Sequence, residues 1–160
     1  MTATTEELET VAKIIADAKI ALLTTVTAEG QLVSRPLAVQ GDSFDGDLWF
    51  LTQDPSDKTT EIAGNDQVNV AFESSKGYLS IAGTASVVHD DAMIDALWTT
   101  QAEAWFPDGR NDTVALIKVH AETAEYWASN EPKPVVLFKV AKAAVTGGTP
   151  DIGENRTVVL

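Results

Sequence analysis

The chain contains no cysteine. Disulfides, thiol nucleophiles and cysteine-ligated metals are therefore excluded. Histidine is almost as scarce. His89 and His120 stand far apart without metal-like spacing, a poor signal for zinc. Basic residues are few, 11 against 24 acids, giving a formal charge of -13. So negative a surface argues against a nucleic-acid partner and against an anionic membrane, because both call for a basic face. No window has the length and apolarity of a transmembrane span. There is no glycine-rich loop of Walker or Rossmann type and no internal repeat. The opening MTATTEELETV is acidic and lacks signal-peptide features, so the expected location is the cytoplasm.

What remains is 160 residues, 44% of them hydrophobic, enough for a single folded domain over 1–160. Thr4 to Glu7 has the pattern of a capping box, and Leu8, Val11, Ile15 and Ala18 follow at helical spacing. A helix is expected from Thr5 to Ala18. IALLTTVT and QLVSRPLAVQ, separated by Ala28-Glu29-Gly30, form a hairpin. Pro36 has no donor and places the second strand at an edge or a bulge. DLWFLTQ is a third strand. A short helix follows, with Asp54 as cap, Pro55 at its first position, Asp57 at its third and Gly64 at its end. VNVAFES and YLSIAGTASVVH are strands four and five. A helix from Asp90 carries Ile94, Leu97, Trp98 and Gln101. TVALIKVH is strand six, ETAEYW a seventh, EPKP a break, VVLFKVAKAAV a helix and DIGENRTVVL a tail. Closely spaced strands without a βαβ rhythm point to a mainly β fold, a small antiparallel barrel with helices at its ends.

One charge does not fit that strand pattern. Arg35 shares its parity with Val33, Leu37 and Val39, so it faces the same way as three apolar side chains. A guanidinium in such a place needs an anion. Between Ile20 and Ser75 there are nine acids and only two bases, Arg35 and Lys58. Lys58 sits in the first turn of the short helix, where free N–H groups and the helix dipole also favour an anion. Ser56 and Thr59 add hydroxyls. A phosphate monoester suits this set, with Arg35 binding it bidentately. The ordinary alternatives stay open: a strand arginine often pairs with a carboxylate, and a lysine in a first turn is often solvated. Trp49 and Phe50 face opposite sides of their strand, one suited to the core and one to lining a groove for a flat ring.

SRPL, LWFLTQDPSDK and YLSIAGTA, continued by WFPDGRND, AEYW and VVLFKVAKAAVTG, resemble the pyridoxamine 5'-phosphate oxidase superfamily of FMN-binding split barrels, in its general stress protein branch. The resemblance covers nearly the whole chain. It implies a six-stranded antiparallel split β-barrel with flanking helices, and a homodimer with FMN in a groove between subunits. It places Arg35, Ser56 and Lys58 at the flavin phosphate. It sets Pro36 and Leu37 along the flavin, where many relatives have methionine at the second position, and Phe50, Leu51 and Thr52 on the strand lining the cofactor. Trp98, Trp105 and Phe106 would reach toward the flavin.

The tail GENRTVVL departs from the family's oxidases, which hold their substrate with a C-terminal Arg-x-His. Arg156 is followed by Thr157 and Val158 instead. Efficient oxidation of pyridoxamine 5'-phosphate is therefore not expected, unless Lys76, Arg110 or Lys118 stands in. The leading expectation is an FMN-dependent oxidoreductase using a small-molecule electron donor or acceptor. The alternatives are a flavin-binding stress or sensor protein without turnover, a cofactor-free dimeric barrel, and a deazaflavin-dependent reductase, whose long anionic cofactor tail asks for more basic residues than this surface has.

Overall fold

The computed structural model describes residues 3–128, 133–147, 149 and 153–160, with no account of side chains over 133–138. Thr4 caps helix α1 (Thr5–Ala18) through a capping box with both arms present, and α1 buries Val11, Ile14 and Ile15. Seven strands follow: β1 (Ile20–Val26), β2 (Leu32–Gln40), β3 (Asp47–Gln53), β4 (Gln67–Ser74), β5 (Gly77–Val88), β6 (Val114–Ala128) and β7 (Glu154–Val159). The short helix α2 (Asp57–Gly64) joins β3 to β4; α3 (Asp91–Leu97) and α4 (Thr100–Glu103) lie between β5 and β6; α5 (Lys133–Thr146) precedes β7. Of the EPKP segment, Glu131 and Pro132 lie outside the described residues, whereas Lys133 and Pro134 already belong to α5. Among the described residues no helix is long and apolar enough to cross a membrane.

All strand pairs are antiparallel, in the order β3-β2-β1-β4-β5-β6-β7, and β3 returns to pair with β6. Six strands thus close a barrel, and β7 is an addition on the far half of β6. The barrel interior is filled by alternate residues of each strand, among them Leu23, Phe50, Val70, Ile81 and Ile117, all fully buried. The burial of each such side chain stabilises the fold by about 1.5–3 kcal/mol. A second apolar cluster lies outside the barrel wall, where Leu51, Val114 and Leu116 meet Ile94, Ala102 and Phe106. Val114 to Ile117 are consequently buried on both faces of their strand.

The expected sixth and seventh strands are one strand, β6, interrupted by a bulge. Ala82 pairs with Thr123 and Gly83 with Ala121, so Glu122 is the extra residue. The bulge reverses side-chain parity. Ile117, Val119 and Ala121 point inward before it, Ala124 and Tyr126 after it. It also marks the exchange of neighbours. β6 pairs with β3 up to His120 and with β7 from Thr123 onward. The apolar run expected as a tail is therefore β7, with Val158 buried against the sheet.

Gly83 fits the bulge because it lacks a side chain. A Cβ there would lie 2.0 Å from the His120 carbonyl oxygen, whereas at Gly64 it would meet nothing within 4 Å. Gly83→Ala is expected to lower stability by at least about 3 kcal/mol, and Gly64→Ala to change it by no more than about 1 kcal/mol. Urea midpoints of the two variants check this; equal midpoints would show that the bulge adapts.

Candidate functional site

The barrel is not closed evenly. β2 meets β3 at only two positions, Val39↔Phe50 and Gln40↔Trp49, although it pairs with β1 all the way from Leu32 to Ala38. Beyond Val39 the two strands part. A groove of about 1140 Å³ opens along this seam. Pro36, Leu37 and Ala38 form one wall, Leu51 and Thr52 the other, and Ile15 of α1 and Lys19, its C-cap, also line the groove. The Val39 N–H donates to the Lys19 carbonyl at 3.0 Å. Alternation along the ladder then turns the backbone of Val39, Leu37 and Arg35 toward β1, and that of Ala38, Pro36 and Ser34 away from it. Pro36 therefore sits where β1 asks for no donor, in agreement with an edge position. The Ala38 N–H is left facing the groove.

One end of the groove is the start of α2. The cap here is Ser56, not Asp54, and Asp57 and Lys58 occupy the first two helical positions. The Ser56 hydroxyl accepts from the Thr59 N–H, while the Thr59 hydroxyl accepts from the Ser56 N–H at 2.9 Å. This reciprocal pair defeats the upstream aspartate as a cap. Asp54 meets His89 Nε2 at 2.7 Å instead, and hydrogen bonding from the Thr59 side chain, aided by His89, holds its carboxyl below the ordinary range.

Ser56 and Lys58 both line the groove. No carboxylate lies within ion-pair distance of the Lys58 ammonium among the described residues. Burial, and then the charge of Arg35, push its pKa down. The pair of cations foreseen from the sequence is thus brought together, but the arginine already has an anion. Arg35 donates from Nη2 to Glu61 Oε2 at 2.8 Å and from Nη1 to the Thr25 hydroxyl, which donates in turn to the same Glu61 oxygen. The alternative of a carboxylate partner is the one observed. A free bidentate grip by Arg35 on another anion is not available in this arrangement.

The other expected site residues divide by strand face. Pro36, Leu37, Leu51, Thr52, Trp105 and Phe106 line the groove. Trp105 is 72% exposed on its rim. Phe50 is not at the groove surface: its side chain fills the barrel interior. Trp98 lies just past the end of α3 and packs on Phe106, ring centroids 5.2 Å apart, so it supports the groove from behind. Three contributors were not singled out beforehand. Glu61 and Thr25 are distant in sequence from Arg35, though Glu61 follows Lys58 by one helical turn and Thr25 shares parity with Leu23. Neither they nor Arg35 line the groove; Asp47 does, and it is engaged by Lys118 at 2.8 Å and His120 at 2.9 Å. Burial opposes its charge, but those hydrogen bonds outweigh it and keep the carboxyl below the ordinary range. The Lys118 ammonium also lies 5.4 Å from the Trp49 ring centroid, a cation–π distance.

The Thr25 hydroxyl, more than the Arg35 guanidinium, holds the Glu61 carboxyl below its ordinary value. A depressed carboxyl contributes stability that is present above its unfolded pKa and lost as pH falls through the folded one. Glu61→Gln should therefore lose less stability than wild type on acidification from pH 7 to about 3.5. Paired urea titrations at the two pH values check it, and parallel losses would refute the linkage.

A profile described as pyridoxamine 5'-phosphate oxidase like matches residues 6–151. The curated protein bli-3 of Neurospora crassa is 29% identical over 153 residues, covering 88% of this chain and 73% of that one. Among solved structures, a Jannaschia protein classed with general stress protein 26 superposes with a TM-score of 0.77 at 25% identity, covering 98% of this chain and all of that one. The general stress FMN/FAD binding protein of Xanthomonas citri superposes with a TM-score of 0.68 at 29% identity, covering 81% of this chain and 93% of that one. With a closed six-strand barrel, flanking helices and a match over nearly its full length, the chain belongs to the pyridoxamine 5'-phosphate oxidase-like family of split barrels, among its general stress proteins.

Proposed function

We propose that this chain is an FMN-binding flavoprotein and an oxidoreductase toward a small-molecule electron donor or acceptor. The observation that carries the reading is the Lys58 ammonium, half-buried and without an ion-pair partner among the described residues, at the α2 end of a long apolar groove. The residues fit the group. Leu37 and Leu51 offer apolar walls to a flat ring, the Ala38 N–H offers a donor at its edge, and Lys58 with the first-turn N–H groups of α2 takes the phosphate. The flavin-binding relative from Xanthomonas supports the same assignment. FMN, when bound, supplies hydride and single-electron chemistry itself. The chain's part is then to orient the ring along β2, exclude water with Leu37 and Leu51, and leave space in the groove for a second small molecule.

The phosphorylated substrate of the family's oxidases finds little here. Of the three cations that can replace the missing C-terminal pair, Arg110 is clamped by Asp91 at 2.6 Å and Asp95 at 3.0 Å, Lys118 is held by Asp47, and Lys76 is exposed in the β4–β5 turn, off the groove lining. We therefore assign a different substrate. The groove rim supports a homodimer with the flavin at the subunit boundary, since Trp105 is largely uncovered and Ile20, Leu22 and Leu32 are exposed on the outer barrel face. Sedimentation equilibrium at micromolar protein should report twice the 17.1 kDa chain mass; a monomer with full flavin affinity would refute a shared site.

A charge-assisted hydrogen bond is worth about 1.5–3 kcal/mol, or roughly 10- to 150-fold in affinity. Lys58→Met should weaken FMN by about that factor and leave riboflavin, which has no phosphate, unchanged. Fluorescence titration of both ligands tests the assignment. Equal wild-type affinities for FMN and riboflavin would overturn it, and reduction of the bound flavin by NADH or NADPH tests the oxidoreductase part.

A further inference from the structure

Beside the phosphate corner, one turn beyond Lys58 and off the groove lining, stands a carboxylate that flavin binding does not call for. Glu61 stands one turn after Lys58 on the same side of α2 and takes both an Arg35 nitrogen and the Thr25 hydroxyl on a single oxygen. The triangle is largely shielded from water. Thr25 is fully buried, and the Arg35 and Glu61 side chains are 20% and 15% exposed. Arg35 is bonded to Glu61 at 2.8 Å, and Glu61 lies one helical turn from Lys58, so a phosphate at Lys58 comes within the field of the guanidinium. It also comes within the field of Glu61, whose charge Lys58 feels as well.

We infer that Glu61 is an internal counter-anion: in the ligand-free protein it occupies Arg35, and so sets how tightly the corner takes a phosphate group. The inference rests on the anion-binding reading of this corner but not on the flavin. An incoming phosphate competes with Glu61 for the same guanidinium. It succeeds because it carries more charge and also draws on Lys58 and the α2 amides. Glu61 does not leave. Thr25 keeps its hydrogen bond to the carboxylate, which therefore continues to repel the bound anion. The cost to affinity is confined to ligands with a phosphate. The residue is thus a specificity-setting one that lowers the preference for phosphorylated over unphosphorylated ligand. A plain structural ion pair linking α2 to β2 makes the opposite forecast, because loosening it lets Arg35 wander and weakens the site.

Glu61→Gln separates the two, since the amide oxygen still accepts from Arg35 and Thr25 while the charge is gone. Inorganic phosphate is titrated into ligand-free protein and followed by the ¹⁵N shift of Arg35 Nε, with FMN and riboflavin in parallel by fluorescence. Phosphate and FMN are expected to bind about 10-fold more tightly to Glu61→Gln than to wild type, riboflavin equally well, and the gain should vanish when Arg35→Gln is added. Unchanged or weaker phosphate binding, or a gain that survives Arg35→Gln, overturns the inference. Tighter phosphate with no FMN binding upholds it while refuting the flavin assignment. Should Glu61→Gln not fold, Glu61→Asp withdraws the charge from Arg35 by one methylene and carries the same expectation at smaller amplitude, with no gain overturning it.

Discussion

The structure depends on a seam that is closed at one end only. A six-strand barrel needs every strand to find two neighbours, and β2 satisfies that need with β3 at two residues. If the pairing ran on past Val39, the backbone edge of residues 34–38 would be saturated and the wall would be sealed. Because it stops, one strand offers free backbone groups and apolar side chains to the same space. Pro36 makes the opening durable. It removes the donor through which another strand would most readily zip onto that edge. The groove is thus a consequence of incomplete pairing rather than of a cavity carved into the core.

Charge is arranged around this opening with some economy. The protein is strongly acidic, and several of its few cations are committed. Arg110 ties α3 to the loop after Phe106, Lys118 is set between Asp47 and Trp49, and Arg35 is held by Glu61. Lys58 differs from these in having no carboxylate within ion-pair distance among the described residues, and after burial it is the charge of Arg35 that weighs most on it. Against a negative exterior, a local positive site of this kind discriminates by position. Bulk charge would repel any anion at long range, but over the few ångströms that decide binding the helix start and the ammonium dominate.

Features encoded by near neighbours in sequence were legible, and those requiring distant partners were not. The α1 cap lies within four residues and was read correctly, and β2 was read to within one residue, starting at Leu32 rather than Gln31. The edge character of Pro36 followed from its chemistry alone. At the start of α2, Asp54 and Ser56 are both competent caps; the reciprocal Ser56–Thr59 bonding chose between them, and propensity could not. The bulge at Glu122 hid the continuity of β6, because its parity reversal looks like the end of one strand and the start of another. The partner of Arg35 was hidden for a different reason. Glu61 is 26 residues away, and nothing in the local pattern distinguishes it from the other acids. The adjacency of Arg35 and Lys58 did emerge from their rarity. Phe50 shows the limit of assigning a strand to a site: a whole strand can border a groove while every second side chain faces elsewhere.

The return of β3 to β6 has a bearing on how the chain is made. Asp47 to Gln53 must wait for residues 114–120 before acquiring their second neighbour. During synthesis from the N-terminus, five strands are complete while β3 still has an unpaired edge. Contacts so far apart in sequence close slowly. Over that interval Phe50 and Leu51 are open to association with other chains. Acids stand close by, with Asp42, Asp45 and Asp47 before the apolar stretch and Asp54 and Asp57 after it. Flanking like charges of this kind keep nascent copies apart. The negative charge that is of no use to an anion site in the finished protein thus has a purpose earlier, in the partly made one.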